Sequence, residues 1–89
     1  MAQIAFTPNL RRHVDCPPDT IEAETVAELL AAYFQRRPDV RGYVLDDQGA
    51  VRRHVKILVD GRNIRDREQQ SDPVSTGAQV HIFQALSGG

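Results

Sequence analysis

Eighty-nine residues make one modest core, and a chain this short buries only about 60% of the surface its unfolded form exposes, leaving little material for a deep catalytic cleft. Eleven basic against 12 acidic residues give a formal charge of -1, with no like-charge run longer than a pair such as Arg36-Arg37, which argues against nucleic-acid or anionic-membrane binding driven by net charge. A single cysteine, Cys16, rules out an internal disulfide and a cysteine-only zinc site, and no apolar stretch approaches the ~20 residues that span a bilayer.

The N-terminal run Met1 to Phe6 lacks the charged-then-apolar pattern of a signal peptide, so the expected compartment is the cytoplasm. Ala2 to Thr7 alternates Ile4 and Phe6 with Gln3 and Ala5, which predicts a strand with one buried face. Leu10 to Cys16 resumes with Leu10 and Val14 and is expected to return antiparallel to it. Pro17-Pro18-Asp19 ends that second strand, because proline donates nothing to a ladder.

A helix begins at Thr25, which with Glu28 forms a Thr-x-x-Glu capping box. Val26, Leu29, Leu30, Tyr33 and Phe34 follow at i, i+3, i+4, i+7 and i+8, a stripe wide enough to cover one face of a sheet. Pro38 stops the helix near Arg37. Tyr43 to Asp46 reads as a short strand and Asp47-Gln48-Gly49 as a turn. His54 to Asp60 is the strongest strand by composition, with Val55, Ile57 and Val59 on one face and His54, Lys56 and Leu58 on the other. Asp60-Gly61 is a tight turn, and Arg65 to Gln70 an exposed polar connection. Pro73 to Gly77 turns into a last strand, Ala78 to Ala85.

These elements predict one α+β domain over residues 1–89, a β-grasp: a mixed sheet of four to five strands with one helix packed across one face. The last strand of such a sheet commonly lies in its middle. A tail, residues 86–89, is expected to project from it as a flexible segment.

Gly88-Gly89 closes the sequence. Chance alone ends about one chain in 200 this way, so the context decides, and here the pair follows the last strand of a β-grasp. Glycine lets a main chain pass through a narrow passage in another protein. Leu86 to Gly89, extended, reach roughly 13 Å. The Gly89 carboxylate is a poor acyl donor until adenylated, and the chain lacks a Gly-x-x-x-x-Gly-Lys-Ser/Thr loop to do this itself.

Three blocks then resemble the MoaD/ThiS family of ubiquitin-like sulfur carriers, the small subunit of molybdopterin synthase being the nearest type. They are Arg41-Gly42-Tyr43-Val44-Leu45-Asp46 leading to Gly49, His54 through Gly61, and Val80 through Gly89. The resemblance implies that a separate ubiquitin-activating-type adenylyltransferase uses ATP to adenylate Gly89, with Gly88 as the slim residue beside it. A sulfur-donor enzyme then makes the thiocarboxylate, and a sulfur-acceptor synthase subunit receives the sulfur for a cofactor or metabolite, molybdopterin-type first. No bound cofactor, metal, nucleic acid or membrane is expected, and no catalytic set can be assembled from these residues. The alternatives are a modifier conjugated through Gly89 to lysines and a β-grasp interaction module with incidental glycines. At Gly77-Ala78-Gln79 relatives often carry an acidic residue after the glycine, a departure expected to affect the turn or a partner contact.

If Val80 and Ile82 face the helix, Phe83 and His81 face away, and with Leu58 and Leu86 they form a candidate docking patch beside the tail. The inverted register would place Phe83 in the core instead. Cys16 is read as a small buried residue, and His13, His54 and His81, on separate predicted strands, as surface residues without metal-ligand spacing. Ten of the 11 basic residues are arginines. Lys56 is the only lysine, which limits where an amide-linked chain could be built.

Overall fold

The computed structural model describes residues 1–84. Strand β1 (Ala2–Phe6) buries Ala2, Ile4 and Phe6 on one face, as its alternation requires. The chain does not return as a strand. Pro8 opens a single-turn helix, α1 (Pro8–Arg11), where its missing N–H leaves no bond unmade. Leu10 and Val14, one helical turn apart, pack into or against the core, and the Val14 N–H donates to the Leu10 carbonyl at 3.2 Å. The strand expected over Leu10 to Cys16 is therefore a helical turn and a loop. Pro17-Pro18 leads into a strand instead of ending one: β2 (Asp19–Ile21) pairs antiparallel with β1, Ala2 opposite Ile21.

Helix α2 (Val26–Arg36) buries Val26, Leu29, Leu30, Tyr33 and Phe34. Thr25 Oγ1 accepts the Glu28 N–H at 3.1 Å, a cap worth about 1 kcal/mol. The Glu28 carboxylate reaches one residue further back than a capping box predicts and accepts the Glu24 N–H at 2.9 Å. Arg37 ends α2, and Pro38 opens α3 (Pro38–Val44) at a position where proline is preorganised for a helix. The strand expected over Tyr43 to Asp46 is corrected accordingly. Val40 and Val44, four residues apart, are fully buried, and only Leu45 makes an isolated bridge, to Val51. The helix expected across the sheet is α2, and among the described residues two further helices, α1 and α3, accompany it, α3 packing on α2.

Gly49 takes a φ of 85° in the turn that follows. Strand β3 (Val55–Val59) is joined to β4 (Arg62–Asn63) by Asp60 and Gly61 with φ of 50° and 85°, a two-residue type I′ hairpin. The polar connection after β4 is not wholly exposed. Gln70 is buried, and its side-chain amide donates to the Gly49 and Arg67 carbonyls at 3.1 and 2.8 Å. The Asp72 and Gln70 carbonyls accept the Val26 and Ala27 N–H groups at 2.9 and 2.8 Å, filling donors that the first turn of α2 cannot satisfy internally. Within the connection the Asp66 carboxylate accepts the Ser71 hydroxyl at 2.6 Å and the Glu68 and Gln69 N–H groups.

Strand β5 (Gln79–Gln84) completes a five-stranded sheet of order β2-β1-β5-β3-β4, parallel to β1 and antiparallel to β3. This is the β-grasp, with the last strand central. Val80 and Ile82 on β5 join Ile4 and Ile57 beneath α2 in the core. The buried Tyr33 ring lies 5.0 Å from that of Phe6, and its hydroxyl donates to the Pro17 carbonyl at 2.7 Å, so the one polar atom of this large side chain is satisfied. Among the described residues no helix is long and apolar enough to cross a membrane.

Candidate functional site at the end of the central strand

The orientation of β5 decides between the two registers. Val80 and Ile82 are buried while His81 is exposed and Phe83 is 42% exposed, so the outward reading of Phe83 holds. Pleating then fixes which side chains share the open face. His81 lies opposite Leu58 on β3 and Ala5 on β1, Phe83 lies opposite Lys56, and Leu58 lies opposite Asn63 on β4. The His81 and Phe83 rings are tilted, with centroids 6.4 Å apart. Leu58 is half-buried between them and β4.

Phe83, His81 and Leu58 are therefore brought together as expected. Leu86, Gly88 and Gly89 lie outside the described residues. Two neighbours join this patch, Lys56 and His54. They line, with Leu58, Asn63, Phe83 and Gln84, a shallow groove of about 410 Å³ on this face. The signal was present, because alternation counted back from Leu58 places both on its side of β3. Asn9, which falls between the two strands expected at this end of the chain, lies on α1. It reaches across from α1 so that its amide donates to the Gln84 side-chain oxygen at 3.5 Å, at the root of the segment leading to the C-terminus.

The centre of the open face, Ala5, Lys56, Leu58, Asn63, His81 and Phe83, carries apolar and amide groups, an imidazole and one ammonium, without a carboxylate. At its far end Asp60 accepts the Gln79 N–H at 2.9 Å, which ties the β3–β4 hairpin to the start of β5. Gly77 itself has a φ of 84°, consistent with the turn read there.

Cys16 is buried, and burial is the main cause that pushes its thiol upward, with Arg11 opposing and Asp15 reinforcing. Such a thiol is disfavoured as a thiolate nucleophile. His13 lies in the turn after α1 and His54 in the turn before β3, not on strands as expected; only His81 is on one. Among the described residues no group of three or more His, Cys, Asp or Glu side chains could hold a metal ion.

The fold and the open face define a ubiquitin-like protein. A model of the ThiS family matches residues 16–89, and the chain belongs to this family of ubiquitin-like sulfur carriers. Comparison with curated protein sequences finds no match. Among solved structures, a chain of the Amycolatopsis orientalis BexX/CysO complex superposes with a TM-score of 0.82 at 18% identity, with 100% of both chains covered. SAMP1 from Haloferax volcanii does so at 0.78 and 19% identity, covering 99% of this chain and 98% of that one. A chain of the complex of subunits 1 and 2 of the Helicobacter pylori molybdopterin-converting factor gives 0.65 at 16% identity, covering 99% and 97%. At these identities the likeness is one of fold.

Proposed function

We propose that this chain carries sulfur on its C-terminus. A separate adenylyltransferase of the ubiquitin-activating type uses ATP to convert the Gly89 carboxylate to an acyl adenylate. A sulfur-donor enzyme supplies the sulfur that displaces AMP, and the resulting thiocarboxylate gives its sulfur to an acceptor synthase subunit. Gly88 is the slim residue that lets the reacting end enter each partner. The acceptor proposed first is of the molybdopterin type, and a chain of the H. pylori converting-factor complex shares this fold.

The observation that carries the reading is the position of β5 in a ThiS-family chain. The strand that leads to Gly88-Gly89 is the central one, held by β1 on one side and β3 on the other. Phe83, Leu58 and His81, with Leu86, serve in this reading as the docking patch, since a contiguous apolar surface next to the reacting end is where a partner would grip. The chain acts with partner enzymes and needs no catalytic set or bound cofactor of its own.

Conjugation of Gly89 to protein lysines is the second reading, favoured by the fold shared with the small archaeal modifier protein SAMP1. Intact-protein mass spectrometry after incubation with the activating enzyme, ATP and a sulfur donor separates them. An oxygen-to-sulfur mass gain localised to Gly89 is expected. An unchanged mass, together with Gly89 found in isopeptide linkage in cell extracts, would transfer the assignment to the modifier.

A further inference from the structure

The one lysine of the chain is on the strand beside the one that leads to the C-terminus. Lys56 is exposed on β3, directly opposite Phe83 of β5, and is one of 11 cationic side chains of which the other ten are arginines. Among the described residues it makes no ion pair, unlike Arg36 and Arg37, which pair with Asp19 and Asp15. Arginine stays protonated and is no acyl acceptor, so Lys56 is the sole side-chain amine in the molecule.

The covalent geometry is permissive. Paired Cα atoms on neighbouring antiparallel strands are about 5 Å apart, and a lysine stem of four carbons adds roughly 6 Å. Residues 84–89 can span up to about 20 Å when extended. The distance from Phe83 across to the Lys56 amine is thus about half of what the intervening chain can cover. The other amine, at the N-terminus, lies at the opposite end of the sheet, where the Met1 carbonyl accepts the Gly77 N–H at 2.8 Å.

We propose that Lys56 is an intrachain acylation site, which captures the chain's own activated Gly89 and closes residues 56–89 into a ring. The inference rests on activation of Gly89 as read above. The unprotonated Lys56 amine attacks the Gly89 carbonyl carbon of the acyl adenylate. A C–N bond forms, the C–O bond to AMP breaks with its electron pair leaving on AMP, and the proton passes to water. The product is lighter than the free chain by one water and has no terminal carboxylate left to receive sulfur. A partner docked over Phe83 and Leu58 covers Lys56 in the same contact, so docking both takes up the reacting end and shields the one competing amine.

The test activates the carboxylate chemically and needs no enzyme. The full chain at high dilution is treated with a water-soluble carbodiimide, which replaces AMP as the leaving group by a urea. It is then cleaved after arginine and analysed by mass spectrometry. The expected product joins the peptide of residues 54–62 to that of residues 68–89 through Lys56 and Gly89, persists on further dilution and is lost in Lys56→Arg. Absence of that linkage, its loss on dilution, or preferential joining of Gly89 to the N-terminal amine would overturn the inference. None of those results touches the sulfur-carrier reading. A chain that closes under carbodiimide yet never gains sulfur from enzyme, ATP and donor would sink that reading alone.

Discussion

Replacing Phe83 by alanine isolates what the open face contributes to docking. A large aromatic side chain presents about 200 Å², and Phe83 leaves 42% exposed, so about 85 Å² of ring is free for a partner to cover. At about 25 cal/mol per Å² the burial of that surface contributes about 2 kcal/mol, or about a 30-fold weaker Kd for the truncated chain. Isothermal titration of the activating enzyme with wild-type and Phe83→Ala chains measures it. The truncation also removes packing against the sheet, so a control with a similar loss of stability is needed. Phe34→Leu, under α2 on the other side of the sheet, provides one and should leave Kd unchanged. A Phe83→Ala chain that binds within threefold of wild type, or a Phe34→Leu chain that binds as poorly, would refute the argument that this face makes the contact.

Two further outcomes follow from protonation. Hydrogen bonds from Ser71, Gln69 and Glu68 hold the Asp66 carboxyl below its ordinary range, with the Ser71 hydroxyl foremost. That contribution is complete above the unfolded carboxylate pKa of about 4 and drains away as pH falls through the lower folded value. Urea unfolding of Asp66→Asn should therefore show a shallower acid limb than wild type, because the amide does not titrate, and a lower plateau above it, because one of the two accepting oxygens becomes an NH2 donor. Burial pushes the Tyr33 hydroxyl up to about 12. Stability should hold below the unfolded tyrosine pKa of about 10 and fall as pH rises from there toward the folded value. Tyr33→Phe should lose this alkaline decline while leaving the Pro17 carbonyl without its donor, a loss of about 1–3 kcal/mol at neutral pH. An alkaline limb identical in the two chains would show that the decline has another source.

The parts of the fold that were legible are those whose residues obey one period over a long enough run. The stripe from Val26 to Phe34 allows only a helix, and the alternation in Val55 to Val59 and Val80 to Phe83 allows only strands. Leu10 with Val14, and Val40 with Val44, are single pairs at helical spacing, too few to outweigh nearby residues that suit strands. Pro8 and Pro38 were the missed evidence. Proline in a first turn starts a helix as readily as it ends the preceding element, so Pro38 marks the start of α3 as well as the end of α2, and Pro8 marks the start of α1. In β2 only Ile21 is buried, so no pattern marked it. Gln70 was assigned to solvent by its chemistry, whereas carbonyls from two separate turns converge on its amide, a long-range fact that no local window contains. The facing of Phe83 and Leu58 is readable from pleating alone, while the approach of Asn9 to Gln84 depends on α1, whose one pair at helical spacing sets no clear period.

The middle position of β5 also has a mechanical meaning. A pull applied to the polypeptide beyond Gln84 acts along a strand flanked on both sides, by β1 and by β3. Its ladders lie across the direction of the load, so they resist in shear and must give way together. An outer strand such as β4 could be peeled off one bond at a time. A machine that tugs on the end of this protein would therefore meet a firm anchorage, and could draw the end taut without unravelling the body to which it is attached.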